Sequence, residues 1–356
     1  MHTGAFFKNI FRKLERYERH ISSAALVSGF VIDNLTLTRI DFWIDHVVIV
    51  AYIFVAAASI VVAHLPQKRN LISRIQPFAP LPMQFAFGGL FSSFFVFYSR
   101  STAISSSWLF LLMLAGLLIG NEFFKRRYER LAFQLAIFFV VIFSYSVFVV
   151  PVLTKTIGPK TFLLSGALSI ALMAVFVALL SIVAPRRMRE ERAVLLKVVV
   201  AIFAIMNILY FLNIIPPIPL ALKEAGVYYS VTRTRDGNYV LDGERAPFFS
   251  FLRPQTMRIA AGKPLYFYSA VFAPTELSTR IVHVWEYFDE SRDEWMMVSR
   301  IPFTITGGRD GGYRGYSLKT DLSSGLWRVS VETEPASAGW RGQILGRTKF
   351  LIQQIH

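Results

Sequence analysis

The sequence predicts an α-helical membrane bundle of about seven transmembrane helices, followed by an all-β C-terminal domain of the immunoglobulin-like sandwich class. Three observations carry this. Of 356 residues, 54% are hydrophobic and 17% charged, with 33 Phe, whereas soluble domains hold about 25% charged residues. Charge-free runs stand at Val47 to Ala63, Ser101 to Asn121, Leu131 to Thr154, Thr161 to Pro185 and Val198 to Leu222, and a spanning helix needs about 20 predominantly apolar residues. Beyond Pro216, Pro217 and Pro219 the apolar period changes from helical to alternating, which is the pattern of strands. The expected divisions are a basic amphipathic helix over 1–20, the membrane domain over 21–215, a Pro-rich linker over 216–225 and the β-domain over 226–356.

The opening "AFFKNIFRKLERYERH" sets Phe6, Phe7, Ile10, Phe11 and Leu14 among Lys8, Arg12, Lys13 and Arg16. That spacing makes a helix lying on the membrane surface beside anionic lipids. Seven spans follow at about 21–38, 43–64, 83–99, 105–121, 131–153, 161–184 and 195–214. The first is interrupted by Asp33 and Asn34 but is retained as a span, because without it the basic N-terminus and the basic 2–3 loop would lie on opposite sides. A removable signal peptide is not expected, since no small-residue cleavage site follows an uninterrupted apolar stretch.

Loop charge then orients the bundle. One side collects Lys8 to Arg19, Lys68 to Arg74, Lys125 to Arg130 and Arg186 to Lys197, 17 cations in all, against Arg39, Arg100, Lys155 and Lys160 on the other. Basic loops stay cytoplasmic, so the N-terminus is expected inside and the C-terminal domain outside. Most of the net charge of +15 lies in these membrane-flanking segments. It therefore reads as topology rather than as a nucleic-acid footprint.

In "GFVIDNLTLTRIDFWIDH", residues 29–46, Arg39, Asp41, Asp45 and His46 fit an external turn and the start of the second span, where the helix dipole favours carboxylates. Asp33 lies deeper. Its candidate partners on the seventh span are Asn207, Tyr210 and Asn213, with Asn34 beside it and Ser144, Tyr145 and Ser146 on the fifth span. Two readings stand: a ligand or proton site opening outward, or interhelical hydrogen bonds that fix packing.

Much chemistry is excluded. With no cysteine there is no disulfide, thiolate metal site or catalytic thiol. There is no Gly-x-Ser-Gly paired with a membrane His, no His-Glu-x-x-His and no lysine central in the last span. Glu190-Glu191 sits among Arg186, Arg187, Arg189 and Arg192 and reads as charge balance. No catalytic residue set, metal site or cofactor is expected, and the chain reads as a non-enzyme.

Strands are expected near 226–233, 238–241, 263–272, 280–288, 295–305, 313–320, 326–333 and 344–352, parted by turn-formers such as Arg235-Asp236-Gly237-Asn238 and Ser323-Ser324-Gly325. Short antiparallel strands about ten residues apart suit a sandwich. "GGRDGGYRGYS" leads from strand to strand, so it is a hairpin turn and not a phosphate loop, which passes from strand into helix.

Four patterns in order, His283-x-Trp285-x-Tyr287, Arg314-x-x-Ser317-x-Lys319, Gly325-x-Trp327-x-Val329 and Gly346 before Phe350, resemble a bacterial envelope domain family catalogued as a domain of unknown function. The resemblance covers about 262–352, and the membrane half resembles the multi-span region that sometimes precedes such domains. It implies a C-terminal extracytoplasmic domain on a membrane-anchored bacterial protein, and no chemistry.

Two readings of these motif residues remain. Trp285 and Trp327 are core and His283 bonds nearby groups; or His283, Trp285, Tyr287, Arg314, Ser317 and Lys319 form a ligand-binding platform on which rings stack and Arg grips an anion. Glu286 would need a cationic partner such as Arg314 if buried. The expected protein is thus a bacterial inner-membrane protein presenting a periplasmic sandwich to an envelope component or partner protein, as scaffold, sensor or accessory subunit. The expected partners are membrane lipids and an envelope glycan, lipid headgroup or protein, with no nucleic acid. The alternative is a carrier or lipid-handling protein with an outward-opening polar cavity around Asp33.

Overall fold

A computed structural model describes residues 30–31, 33, 43–66, 75–101, 104–123, 130–215, 220–235, 238–243, 254–273, 278–306, 313–334 and 342–355. Among these are six α-helices: α1 Trp43–His64, α2 Pro80–Ser101, α3 Ile104–Phe123, α4 Leu131–Thr154, α5 Pro159–Val183 and α6 Pro185–Phe211. Seven helices are therefore not supported. The first expected span, 21–38, lies outside the described residues except for 30, 31 and 33, which are helical, and the amphipathic helix over 1–20 lies outside them altogether. Five segments are long and apolar enough to cross a membrane: Trp43–His64, Gln76–Ser99, Leu131–Thr154, Pro159–Val183 and Pro185–Phe211. In α3 the apolar stretch Trp108–Asn121 is shorter. Large apolar side chains on α1, α5 and α6 such as Phe54, Val175, Ile182 and Leu196 are exposed, as hydrocarbon-facing surfaces are.

The last helix starts at Pro185 and not near 195, so the basic segment expected as a loop forms its first turns. Pro at the first helical position sacrifices no hydrogen bond, and Arg, Glu and Met are good helix formers; a run of charges misleads because charge is a poor marker of loops. Glu191 accepts the backbone N–H of Ala132, one of the donors left unsatisfied where α4 begins.

The chain forms two compact units. The first comprises Met1–Phe97, Leu111–Tyr145 and Leu168–Ala204; the second comprises Tyr98–Phe110, Ser146–Ala167 and Ile205–His356. In the first, Gly89 of α2 lets the Tyr52 ring of α1 approach to where a Cβ would lie 2.8 Å away, the close approach that small residues give membrane helices. Gln84 and Asn121 exchange side chain-to-backbone hydrogen bonds of 2.9 and 3.0 Å between α2 and α3. His64, buried, accepts at Nδ1 from Arg187 (3.2 Å) and donates from Nε2 to Gln134 Oε1 (3.0 Å); a guanidinium can only donate, which fixes this tautomer.

In the second unit Tyr98 packs edge-on to Phe110 and Phe148, at 4.6 and 4.7 Å, and Tyr210 stacks on Phe162 at 3.8 Å. Helix α6 ends in Asn213, whose φ of 59° is the left-handed cap that Asn tolerates. Among the described residues beyond it are ten strands: β1 Ala221–Tyr228, β2 Ser230–Arg233, β3 Tyr239–Asp242, β4 Gln255–Ala260, β5 Leu265–Phe272, β6 Ser278–Asp289, β7 Glu294–Thr306, β8 Tyr313–Lys319, β9 Gly325–Thr333 and β10 Ile344–Ile355. A three-stranded sheet β1-β5-β8 faces a five-stranded sheet β4-β10-β9-β6-β7, and β2-β3 form a separate hairpin. All pairings are antiparallel except β4 with β10. Both larger sheets feed one core that includes Val227, Phe267, Val271, Trp285, Trp327, Val329 and Phe350, and Ile157 from the α4–α5 turn packs against it.

The strand expected over 226–233 is two strands, because the chain leaves the sheet at Tyr229, and β1 begins inside the stretch expected as linker. Strand β4 was not expected; its pairing is long-range and parallel, which local alternation does not report.

Candidate functional site

Strand β6 alternates as expected, with Ile281, His283 and Trp285 fully buried against the core and Tyr287 half-buried at the end of that row. Opposite them, β8 turns Gly315 and Ser317 inward. The Ser317 hydroxyl accepts Trp285 Nε1–H at 2.9 Å and meets His283 Nδ1 at 2.9 Å, while His283 Nε2 meets Ser269 Oγ of β5 at 2.7 Å. Phe267 and Phe303 set their rings 4.8 Å from the imidazole. A Cβ on Gly315 would lie 2.7 Å from the Phe303 ring, so the glycine makes room for it. Burial pushes the His283 pKa down to about 3, so the ring is neutral with one N–H to donate and one lone pair to accept. The set is a polar pin between the two sheets, with every ring nitrogen partnered and none facing solvent.

The six residues expected as a platform therefore do not share a surface. His283, Trp285 and Ser317 are core; Tyr287 lies against Gly325 and Trp327. Arg314 and Lys319 are five apart on one strand and so face opposite sides. Glu286 is partnered not by Arg314 but by Arg328 of β9, through a two-pronged ion pair whose second hydrogen bond is 2.8 Å. Arg328 also lies over the Trp295 ring at 4.2 Å.

Arg314 belongs to a different surface, the outer face of the three-stranded sheet. The register there builds three rungs: Glu224–Ala270–Arg314, Gly226–Tyr268–Tyr316 and Tyr228–Tyr266–Leu318. The β2-β3 hairpin folds onto this face, packing Val231, Tyr239 and Leu241 against Tyr228, Tyr268 and Ala270. Tyr239 lies 5.5 Å from Tyr268 and 6.2 Å from Tyr316, and Tyr266 lies 6.0 Å from Tyr316. Burial pushes the Tyr268 phenol up to about 12, with Arg314 opposing and Glu224 adding to the rise. Tyr316 and Leu318 are 42% and 47% exposed. Arg314 donates one hydrogen bond, to Asn238 Oδ1 at 3.1 Å, and its carbonyl receives the Tyr239 hydroxyl at 3.5 Å. The tyrosines were missed, although Tyr266-x-Tyr268 and Arg314-x-Tyr316 already show the period of two that sets side chains on one face.

The expected intramembrane cluster divides between the two units. Asp33 lies near Ser92 of α2 and Tyr52 of α1; Asn34 lies outside the described residues. His46 meets the Tyr145 hydroxyl at 3.5 Å. On α6, the Tyr210 carbonyl accepts Gln343 Nε2–H at 3.3 Å, and Asn213 Oδ1 accepts the Ile344 N–H at 3.3 Å. Tyr210 and Asn213 thus tie the helix end to the start of β10 and the residue before it, while Asn207 sits one turn before Tyr210 on the same helix.

Comparison with known proteins finds a family model that matches part of the chain. Residues 278–352 match DUF2914, a protein of unknown function. That match spans β6 to β10 and agrees with the C-terminal placement of the resemblance. No curated protein matches the chain. Among solved structures, an immunoglobulin-like protein from Pseudomonas aeruginosa is similar at 10% identity and a TM-score of 0.21, covering 38% of this chain and 96% of its own. The alkylpurine DNA glycosylase AlkC of Pseudomonas fluorescens, solved bound to DNA containing an abasic site analog, gives 7% identity and a TM-score of 0.23 over 89% of this chain and 99% of its own. Scores this low carry no argument for fold or function.

Proposed function

We propose that this is a bacterial inner-membrane protein whose helices hold an immunoglobulin-like β-sandwich in the periplasm. There it binds an envelope component or a partner protein, as scaffold, sensor or accessory subunit. The observation that carries the binding role is the outer face of the β1-β5-β8 sheet, where Tyr316 and Leu318 stand exposed beside Arg314. Isolated exposed apolar residues are ordinary, but contiguous ones beside a charge mark interaction sites. The strand order supports the immunoglobulin-like reading: β4-β10-β9-β6-β7 facing β1-β5-β8 runs like the two sheets of such domains, with Trp285 as the buried Trp of the strand conventionally called C. The 17-to-4 division of membrane-flanking cations, five of them in the first turns of α6, supports the orientation.

The carrier reading has one observation in its favour, the helical Asp33 set against Ser92 and Tyr52, since an ionisable group within a span is a functional candidate. Native mass spectrometry of the protein, released gently from its own membrane, tests both. A stoichiometric glycan, lipid or protein that is lost in Tyr316→Ser is expected. A bound species lost instead in Asp33→Leu, with Tyr316→Ser unaffected, would favour the carrier.

A further inference from the structure

Resting on that reading, we infer that the Arg314–Tyr316 face takes an acidic saccharide: a sugar ring bearing one carboxylate or phosphate group. The argument begins with unused donors. A guanidinium has five N–H donors and stays charged at any physiological pH, and among the described residues Arg314 gives only one, to Asn238. It is half-buried, and its open donors form the planar fork that grips a carboxylate or phosphate two-pronged.

Beside the fork stand rings. Tyr316 is one rung away on the same strand and 42% exposed. Tyr239 and Tyr266 flank it at 6.2 and 6.0 Å, inclined at 71° and 47°. Those two rings pack directly on Tyr316 and hold it in place, so the open part of the Tyr316 ring is what a CH-rich sugar face can stack on, and the phenol keeps a polar edge to bond a hydroxyl. Glu224, at the far end of the Arg314 rung, accepts hydrogen bonds from neutral hydroxyls and repels a second anion.

That charge arrangement selects among ligands. Arg314 is the only cation on the nine positions of the three rungs and Glu224 the only acid, and the hairpin folded onto the face adds a single further cation, Arg233, across from Tyr239. A polyanion such as nucleic acid needs many neutralising contacts, and an anionic membrane surface needs clustered lysines and arginines. One anionic group on a ring that also offers hydroxyls fits the face.

The test uses the full chain in nanodiscs and calorimetric titration with four probes: N-acetylmuramic acid, glucosamine 6-phosphate, the neutral N-acetylglucosamine, and lactate as an anion without a ring. At least one acidic sugar is expected to bind about tenfold or more tighter than the neutral sugar, the range of a hydrogen bond to a charged group. Muramic acid alone would assign a carboxylate, and the phosphate sugar alone a phosphate ester. Arg314→Gln should erase the gap between acidic and neutral sugars. Tyr316→Ser, which still melts cooperatively although it loses its ring contacts to Tyr239 and Tyr266, should weaken both alike. Equal binding of acidic and neutral sugars, lactate binding as tightly as the sugars, or no saturable binding would overturn the inference. If the sugars fail while native mass spectrometry still finds a Tyr316-dependent lipid or protein, the binding role stands and only the ligand class falls.

Discussion

A histidine with no exposed atom, as His283 is, survives in an apolar core because Ser269 and Ser317 meet both ring nitrogens. Burying such groups without partners would cost about 1–3 kcal/mol apiece. Ser317→Ala strands Trp285 Nε1–H and one imidazole nitrogen together, so a loss on the order of 2–5 kcal/mol is expected, read as a lower melting temperature by Trp fluorescence. The pH response has a definite sign. Unfolded, His283 protonates near the ordinary value of 6.5; folded, it stays neutral until about pH 3. Between those values the unfolded chain binds the extra proton. Stability from this residue is therefore full above pH 6.5 and declines as pH falls towards 3. His283→Gln should shrink the gap between melting temperatures at pH 7 and pH 4.5; an unchanged gap would refute the assignment. Strand alternation put His283 on one face with Ile281 and Trp285 but left open whether that face was core or platform, because Val282 and Val284 make the other face equally apolar and buried. That Arg314 and Lys319 part company was legible, since an odd spacing on a strand separates two side chains. What no sequence pattern gave was Arg328 as the partner of Glu286, because that pairing depends on which strands become neighbours.

The helices from 43 onward were readable because each is a long apolar run, and hydrocarbon forces backbone polar groups to bond within the segment. Boundaries failed where charge stood in for conformation, as at Pro185. In the β-region, alternation found most strands but not the passage from β1 to β2, where the residue period continues while the partner strand changes. The α6 end offers an element-scale test. Asn213 both adopts a left-handed φ and accepts the Ile344 N–H. Asn213→Gly keeps the backbone free and loses only the bond; Asn213→Ala loses the bond and adds roughly 1–2 kcal/mol of strain. The expected order of melting temperature is Asn, then Gly, then Ala. An Ala variant as stable as the Gly variant would remove the cap from the account.

For the whole molecule, the claim that matters is that membrane helices hold a binding domain on the outer side. Apolar length argues for spanning, and loop charge argues for direction. The absence of cysteine makes a direct measurement possible, since any introduced thiol is the only one. Glu290→Cys lies on the exposed β6–β7 turn, and Glu190→Cys lies on the exposed, basic first turns of α6. In spheroplasts with intact inner membranes, a membrane-impermeant maleimide should label Glu290→Cys at once and Glu190→Cys only after permeabilisation. Labelling in the reverse order, or of both thiols before permeabilisation, would contradict the placement of the β-domain in the periplasm.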